Sequence, residues 1–215
     1  MSTPLVSLAA DIHLAWVGPD VIALDVAQDR YILLLNAAEA LIPAAPGAVR
    51  LGDGAARVAL EQAGFLDDTP QPPRTPMLQA RRAIEPPARP EASLIPWWSS
   101  LLDGLLATAA FKRRTFVELV ATARSRRPRR GARPTDPALA LEQFYAIYPW
   151  LPWEGDCLQR AFLLHQHLHR RGLACRWVFG VRAWPFLAHC WVQIDDVVIG
   201  DSLSRVGAFT PIMVV

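Results

Sequence analysis

The sequence is poor in cysteine, with only Cys157, Cys175 and Cys190 among 215 residues, and its 22 basic residues include a single lysine. So few cysteines, in an odd number, exclude a disulfide framework and make a reducing cytoplasm the expected setting. No apolar run approaches the roughly 18 residues of a membrane-spanning helix, so no membrane association is expected. Asp11 stands near the N-terminus with no Lys or Arg before Arg30, which is the wrong charge pattern for a secretory leader. Disorder is excluded too, because 52% hydrophobic and 20% charged residues can build a core. The length allows one ordinary domain or two small ones, domains running to about 50–250 residues.

The formal net charge of +2 conceals an uneven distribution. Residues 1–68 hold nine acids (Asp11, Asp20, Asp25, Asp29, Glu39, Asp53, Glu61, Asp67, Asp68) against Arg30, Arg50 and Arg57. Residues 112–133 hold nine bases (Lys112, Arg113, Arg114, Arg124, Arg126, Arg127, Arg129, Arg130, Arg133) against Glu118. Such a block is a solvated helix end and loop, or a patch that binds nucleic acid or an acidic partner. Nucleic acid is not the expected ligand of the acidic half, because phosphate neutralisation needs bases on the reading surface.

Eight prolines between 69 and 96 mark an extended linker, since proline lacks the amide donor that helices and strands use. Only Met77 to Glu85 within it has the composition of a short helix. Before the linker, Ile12–Val17, Val21–Val26 and Tyr31–Leu35 are β-rich runs joined by tight turns, an antiparallel meander. Asn36 with Glu39 three residues on reads as a helix start running to Leu41, and Val58–Gly64 as a second helix closed by glycine. Residues 1–68 therefore read as a small winged-helix-like domain with a binding rather than a catalytic role, for His13 is its only histidine and it has no cysteine.

After the linker, residues 97–215 read as helices followed by an antiparallel sheet, so the fold class is α+β. Helices are expected over Trp97–Ala110, with an apolar face of Leu101, Leu102, Leu105 and Leu106, and over Thr115–Arg124. Asp136 caps a third helix with Pro137 at its first position. A turn at Trp153-Glu154-Gly155-Asp156 leads into a helix from Cys157 to Arg171, stopped by Gly172. Strands follow at Cys175–Val181, His189–Ile194 and Val197–Ile199, with Asp195-Asp196 as a turn.

Cys157 would occupy the first turn of its helix, where unpaired amides and the helix dipole favour a thiolate. A thiol nucleophile needs a base, and the base an orienting group. His189 follows on a strand and Asp201 just after the next strand. Spacing alone is compatible with a Cys-His-Asp triad and equally with a core thiol beside a structural histidine. His165 and His169 share a helix face, a spacing compatible with zinc, but no Cys or carboxylate completes a motif, so surface or packing roles, and no metal and no cofactor, are expected. Cys175 and Cys190 read as buried, inert thiols. Trp153 and Trp191 flank the nucleophile and base and are candidates for lining a cleft.

The residues Asp156-Cys157-Leu158-Gln159-Arg160-Ala161, Gly180-Val181, Phe186-Leu187-Ala188-His189-Cys190-Trp191-Val192-Gln193 and Gly200-Asp201 together resemble the B proteins of lasso peptide biosynthesis. These are leader peptidases with a papain- or transglutaminase-like cysteine protease domain. In fused members that domain follows a PqqD-like leader-recognition element, which residues 1–68 resemble in size and element order. The resemblance implies a cytoplasmic enzyme that binds the leader of a precursor peptide along Tyr31, Ile32, Leu33, Leu34 and Leu35. It implies cleavage between leader and core by Cys157, His189 and Asp201, without a cofactor, beside a cyclase resembling asparagine synthetase. Cys190 stands where such proteins usually have alanine. A transglutaminase-like acyltransferase would use the same triad, and a non-catalytic peptide- or DNA-binding protein would use none of it.

The triad carries a geometric condition. If Asp195-Asp196 is a plain two-residue turn and pairing runs on to residue 202, Ser202 lies opposite His189 and Asp201 opposite Cys190. Paired residues share a face, so Asp201 would then point away from the imidazole. A triad therefore requires a bulge, an odd-length loop, or a chain that bends before Asp201.

Overall fold

The computed structural model describes residues 4–52, 54–67, 74, 78–88, 97–126, 135–152 and 157–215. The chain divides into two compact units. One comprises Met1–Met77 with Gly180–Ala188 and Thr210–Val214, the other Leu78–Phe179 with His189–Phe209 and Val215.

The first unit is built from strands β1 (Leu5–Ser7), β2 (Ile12–Val17), β3 (Asp20–Asp25), β4 (Arg30–Leu34), β5 (Leu41–Ala45) and β6 (Ala48–Leu51) and helix α1 (Gly54–Gln62). The meander read from the sequence is the antiparallel sheet β2-β3-β4, in register from Ile12↔Asp25 to Val17↔Asp20 and from Val21↔Leu34 to Asp25↔Arg30. Central strand β3 is buried along its whole length, which is why its sequence is a continuous apolar run rather than an alternation. Val21 and Ala23 pack with Leu8, Ile12, Leu41, Val49, Leu51, Leu60 and Phe65 to form the core of this unit.

Where a helix from Asn36 to Leu41 was expected, residues 36–40 are turns, and Leu41 begins a strand of a second sheet, β1-β6-β5. Asn36 takes a left-handed φ of 52°, and its amide donates to Asp20 Oδ1 at 2.9 Å instead of opening a helix. Only one turn of α-type bonding follows, Leu41 N–H to Ala37 O at 2.9 Å, before β5 begins. The other Asp20 oxygen accepts from Trp184 Nε1 at 3.0 Å, so this buried carboxylate fastens the 180–188 hairpin tip to the end of β4. Asp53 and Asp68 of the acidic set lie outside the described residues.

The remaining elements are β7 (Arg82–Ile84), α2 (Trp97–Lys112), α3 (Phe116–Ser125), α4 (Pro137–Ile147), α5 (Cys157–Arg170), β8 (Arg176–Arg182), β9 (Leu187–Ile194), β10 (Val197–Ile199), α6 (Leu203–Val206) and β11 (Thr210–Val214); β11 and the 180–188 ends of β8 and β9 group with the first unit, the rest form the second. Within the second unit the strand order is β8-β9-β10-β7. Helix starts follow local chemistry. Thr115 and Glu118 form a reciprocal capping box on α3, and Asp136 accepts from Ala138 N and Leu139 N ahead of Pro137 on α4. Helix α5 ends at Gly172, φ 78°, with Leu173 N–H bonded to Leu168 O and Gly172 N–H to His169 O, the pattern of a glycine-terminated helix.

Two expectations are corrected here. The described part of Met77–Glu85 is extended, not helical: Arg82–Ile84 pairs in parallel with β10, and Arg82 Nη2 meets Asp196 Oδ1 at 2.7 Å. The apolar face read on α2 also points the other way. Leu102, Leu105 and Leu106 are exposed while Ser100, Ala107 and Thr108 are buried, because Gly104 brings the helix against Leu151, where even a Cβ would come within 2.7 Å. Within the basic segment, Arg127, Arg129, Arg130 and Arg133 lie outside the described residues. Arg126 is engaged, its Nε donating to Gln166 Oε1 at 2.6 Å.

Candidate active site

Helix α5 presents Cys157 as its first residue, half-buried at the positive end of the helix dipole. The turn expected at 153–156, with Trp153, lies outside the described residues. The Cys157 sulfur accepts hydrogen bonds from the Cys190 thiol, from His189 and from the Cys190 backbone amide, and these outweigh its partial burial to hold the thiol down to about 4. Cys190 is therefore no inert passenger. Burial raises its own pKa well above the ordinary thiol value, which keeps it protonated and able to donate.

His189, the third residue of β9, is buried, and its Nε2 lies 2.7 Å from Asp201 Oδ2. An ionised carboxylate only accepts, so Nε2 carries the proton and Nδ1 is left to face the sulfur. Burial pulls the imidazole pKa down, but Asp201 and Cys157 outweigh it and lift the value to about 9. Cys157 and His189 therefore form a thiolate–imidazolium pair at neutral pH. The ring is stacked at 6.2 Å on Trp191 and lies 5.2 Å from Phe209. Trp191, a candidate cleft residue, is buried and backs the imidazole rather than facing solvent.

Asp201 meets the geometric condition through a bend. The β9–β10 hairpin is a plain two-residue turn, with Val197↔Ile194, Val198↔Gln193 and Ile199↔Val192. Pairing stops there. Gly200 takes a φ of 75°, a left-handed conformation that L side chains rarely adopt, and its amide turns to Ile84 O at 2.8 Å on β7. The chain leaves the register one residue before Asp201, whose carboxylate comes round to the His189 side. Burial would raise the Asp201 pKa, but hydrogen bonds from His189 and the Ser202 amide (2.9 Å), with the charge of Arg160, lower it. Arg160 Nη2 and Arg205 Nε each stand 3.6 Å from an Asp201 oxygen. Arg160 sits three residues after Cys157 on the same helix face, a spacing visible in the sequence. Phe209 follows α6 and had no such signal.

The leader-strand candidates lie in the first unit. Tyr31, Ile32, Leu33 and Leu34 belong to β4 and Leu35 to the turn after it. Strand β4 is an edge of its sheet, paired with β3 on one side. Ile32 and Leu34 pack on the core, Tyr31 faces the Phe186 ring at 5.5 Å, and Leu35 is exposed.

A family model described as the transglutaminase-like superfamily matches residues 101–214. The chain belongs to the transglutaminase-like superfamily. It is also 36% identical over 50 residues to the microcin J25-processing protein McjB of Escherichia coli, a stretch covering 23% of this chain and 24% of that protein. The chain thus matches about a quarter of the length of this curated relative. No solved structure matches. The transglutaminase-like assignment and the McjB similarity bear out the likeness to lasso peptide B proteins read from the sequence. The transglutaminase-like match covers Cys157, His189 and Asp201, and it ends within β11.

Proposed function

We propose that this protein is the leader peptidase of a lasso peptide system, a cysteine hydrolase that removes the leader from a ribosomally made precursor. The observation that carries the reading is the hydrogen-bonded line Cys157–His189–Asp201, with Nε2 of His189 held 2.7 Å from the carboxylate. Similarity to a protein named for processing microcin J25 supports the substrate class. The thiolate attacks the carbonyl of the last leader residue, and the imidazolium gives its proton to the leaving core amine. Water then hydrolyses the thioester, with the imidazole as base. Asp201 holds the ring in the tautomer that points Nδ1 at the sulfur. The Cys157 amide, which has no partner within the helix, supplies one oxyanion contact.

In the same proposal residues 1–68 recognise the leader, which adds as a strand along the free edge of β4. Main-chain bonds supply affinity there, and the apolar side chains of Tyr31, Leu33 and Leu35 supply selectivity. The freed core amine is the nucleophile that a cyclase resembling asparagine synthetase would join to a side-chain carboxylate. The reaction is set in the cytoplasm and needs no cofactor. Incubating the protein with a leader–core peptide and weighing the products tests the reading. Hydrolysis at one bond, lost in Cys157→Ala, is expected. Transfer of the leader acyl group to an added amine in preference to water would make the protein an acyltransferase instead.

A further inference from the structure

Helix α5 carries three histidines, and His167 is accounted for by packing. Its Nε2 donates to Ala140 O at 3.0 Å and its Nδ1 faces Arg171 Nη1 at 3.2 Å. His165 and His169 lie one turn apart on another face, their ring centroids 4.4 Å from each other. The sequence spacing offered them no third ligand, but the fold does. After Gly172 the chain doubles back and places Cys175 against both rings, so that one ligand atom from each of His165, His169 and Cys175 lies within 4.8 Å of the others.

All three residues are buried, with 1%, 6% and 6% of their surface exposed. His169 Nε2 faces the Cys175 carbonyl at 3.1 Å, and a carbonyl only accepts, so Nε2 carries the hydrogen and Nδ1 the lone pair. A backbone carbonyl that fixes a ring tautomer in this way is the usual outer support of a metal-binding histidine. His165 also hydrogen-bonds to the Cys175 backbone, while its Nδ1 is fully buried with no hydrogen-bond partner among the described residues. A buried polar atom in that state costs about 1–3 kcal/mol unless something uses its lone pair.

We propose that His165, His169 and Cys175 bind one divalent transition-metal ion of the zinc class. Two imidazole nitrogens and a thiolate are the borderline-soft donor set that zinc prefers. Binding is a ligand exchange with no change of oxidation state. The metal–sulfur bond replaces the Cys175 S–H bond, whose proton leaves to solvent, and both histidines enter neutral. The weak contact of the Cys175 thiol with His165 O at 3.8 Å is given up. With one thiolate the complex keeps a net positive charge, and the Arg126 guanidinium acts on His165 from nearby, so the fourth position suits a hydroxide or halide. The ion would clip the end of α5 to the entry of β8, the two elements that lead away from Cys157 and towards His189.

The test uses the full chain carrying Cys157→Ala, which removes the other reactive thiol, and Co²⁺ as the probe. One equivalent of Co²⁺ should bind and give a thiolate-to-cobalt charge-transfer band with tetrahedral d–d absorption. Adding Cys175→Ser should abolish the charge-transfer band, and adding His165→Phe, which keeps the thiol, should weaken binding by about tenfold or more. No charge-transfer band in Cys157→Ala, or an affinity unchanged by His165→Phe, would overturn the proposal whether or not Cys175→Ser folds.

Discussion

At the scale of single residues, the site is governed by where two protons reside. The Cys157 thiol titrates near 4, far below its ordinary 9, so its stabilising effect is complete above the ordinary value and is lost as pH falls through about 4. His189 is shifted the other way, to about 9 from 6.5, so its contribution is complete below the ordinary value and is lost as pH rises through about 9. The ion pair therefore persists between those limits, and the two steps belong to the pair rather than to either residue. Peptidase activity should follow a bell with limbs near 4 and 9, and thiolate absorbance should rise with the acid limb. Cys190→Ala removes the foremost hydrogen-bond donor to the sulfur and should move that limb upward while leaving cleavage intact. An unmoved limb would remove Cys190 from the site. Asp201→Asn should lower the alkaline limb and reduce turnover by about 10²-fold or more, the scale of a mispositioned general base. The placement of Cys157 at a helix start and of His189 on a strand was legible in the sequence because both are local features. The part played by Cys190 was not, since it comes from packing one strand residue against a helix end that precedes it by more than thirty positions.

At the scale of elements, the long helices were read well, two short expected helices are turn and strand, and strands were read unevenly, for one physical reason. Helix limits are set by neighbours in sequence: Thr115 with Glu118, Asp136 with Pro137, Gly172 at the end of α5. A strand depends on a partner that can be distant. Strand β7 lies in a proline-rich stretch and exists because Arg82–Ile84 finds β10 more than a hundred residues later. Strands β5 and β6 are short, and β5 contains Pro43, so nothing local announced them. Asn36 followed the rule for a helix cap, yet Asp20 captured its amide and turned it left-handed. The bend at Gly200 was posed by the sequence as a condition, and it has a direct test. Gly200→Ala must hold an L residue at φ 75°, and its Cβ would lie 2.9 Å from Leu164 Cδ2. The expected cost is about 1–3 kcal/mol of stability. Turnover at permissive temperature should fall further than the population of folded protein does, because Asp201 is displaced. Equal losses in both would make the bend merely structural.

At the scale of the molecule, the acidic and basic segments and the proline-rich stretch outlined a two-part chain. What a linear reading could not supply is the composition of the parts. The tip 180–188 and strand β11 group with the first unit although both follow the Cys157 helix in sequence. The tip is held there by Trp184 on Asp20 and Phe186 on Tyr31. The free edge of β4 is the predicted seat of the leader, so titrating a leader peptide into the full chain should shift the amide resonances of residues 30–35 above all others. Shifts centred on another strand would relocate the recognition surface. The most direct measurement of the whole account is the mass of the protein itself, quenched in acid during a single turnover with a leader–core peptide. The account predicts an adduct of the leader fragment on Cys157, released core peptide, and neither product with Cys157→Ala. Cleavage that persists in Cys157→Ala would contradict it.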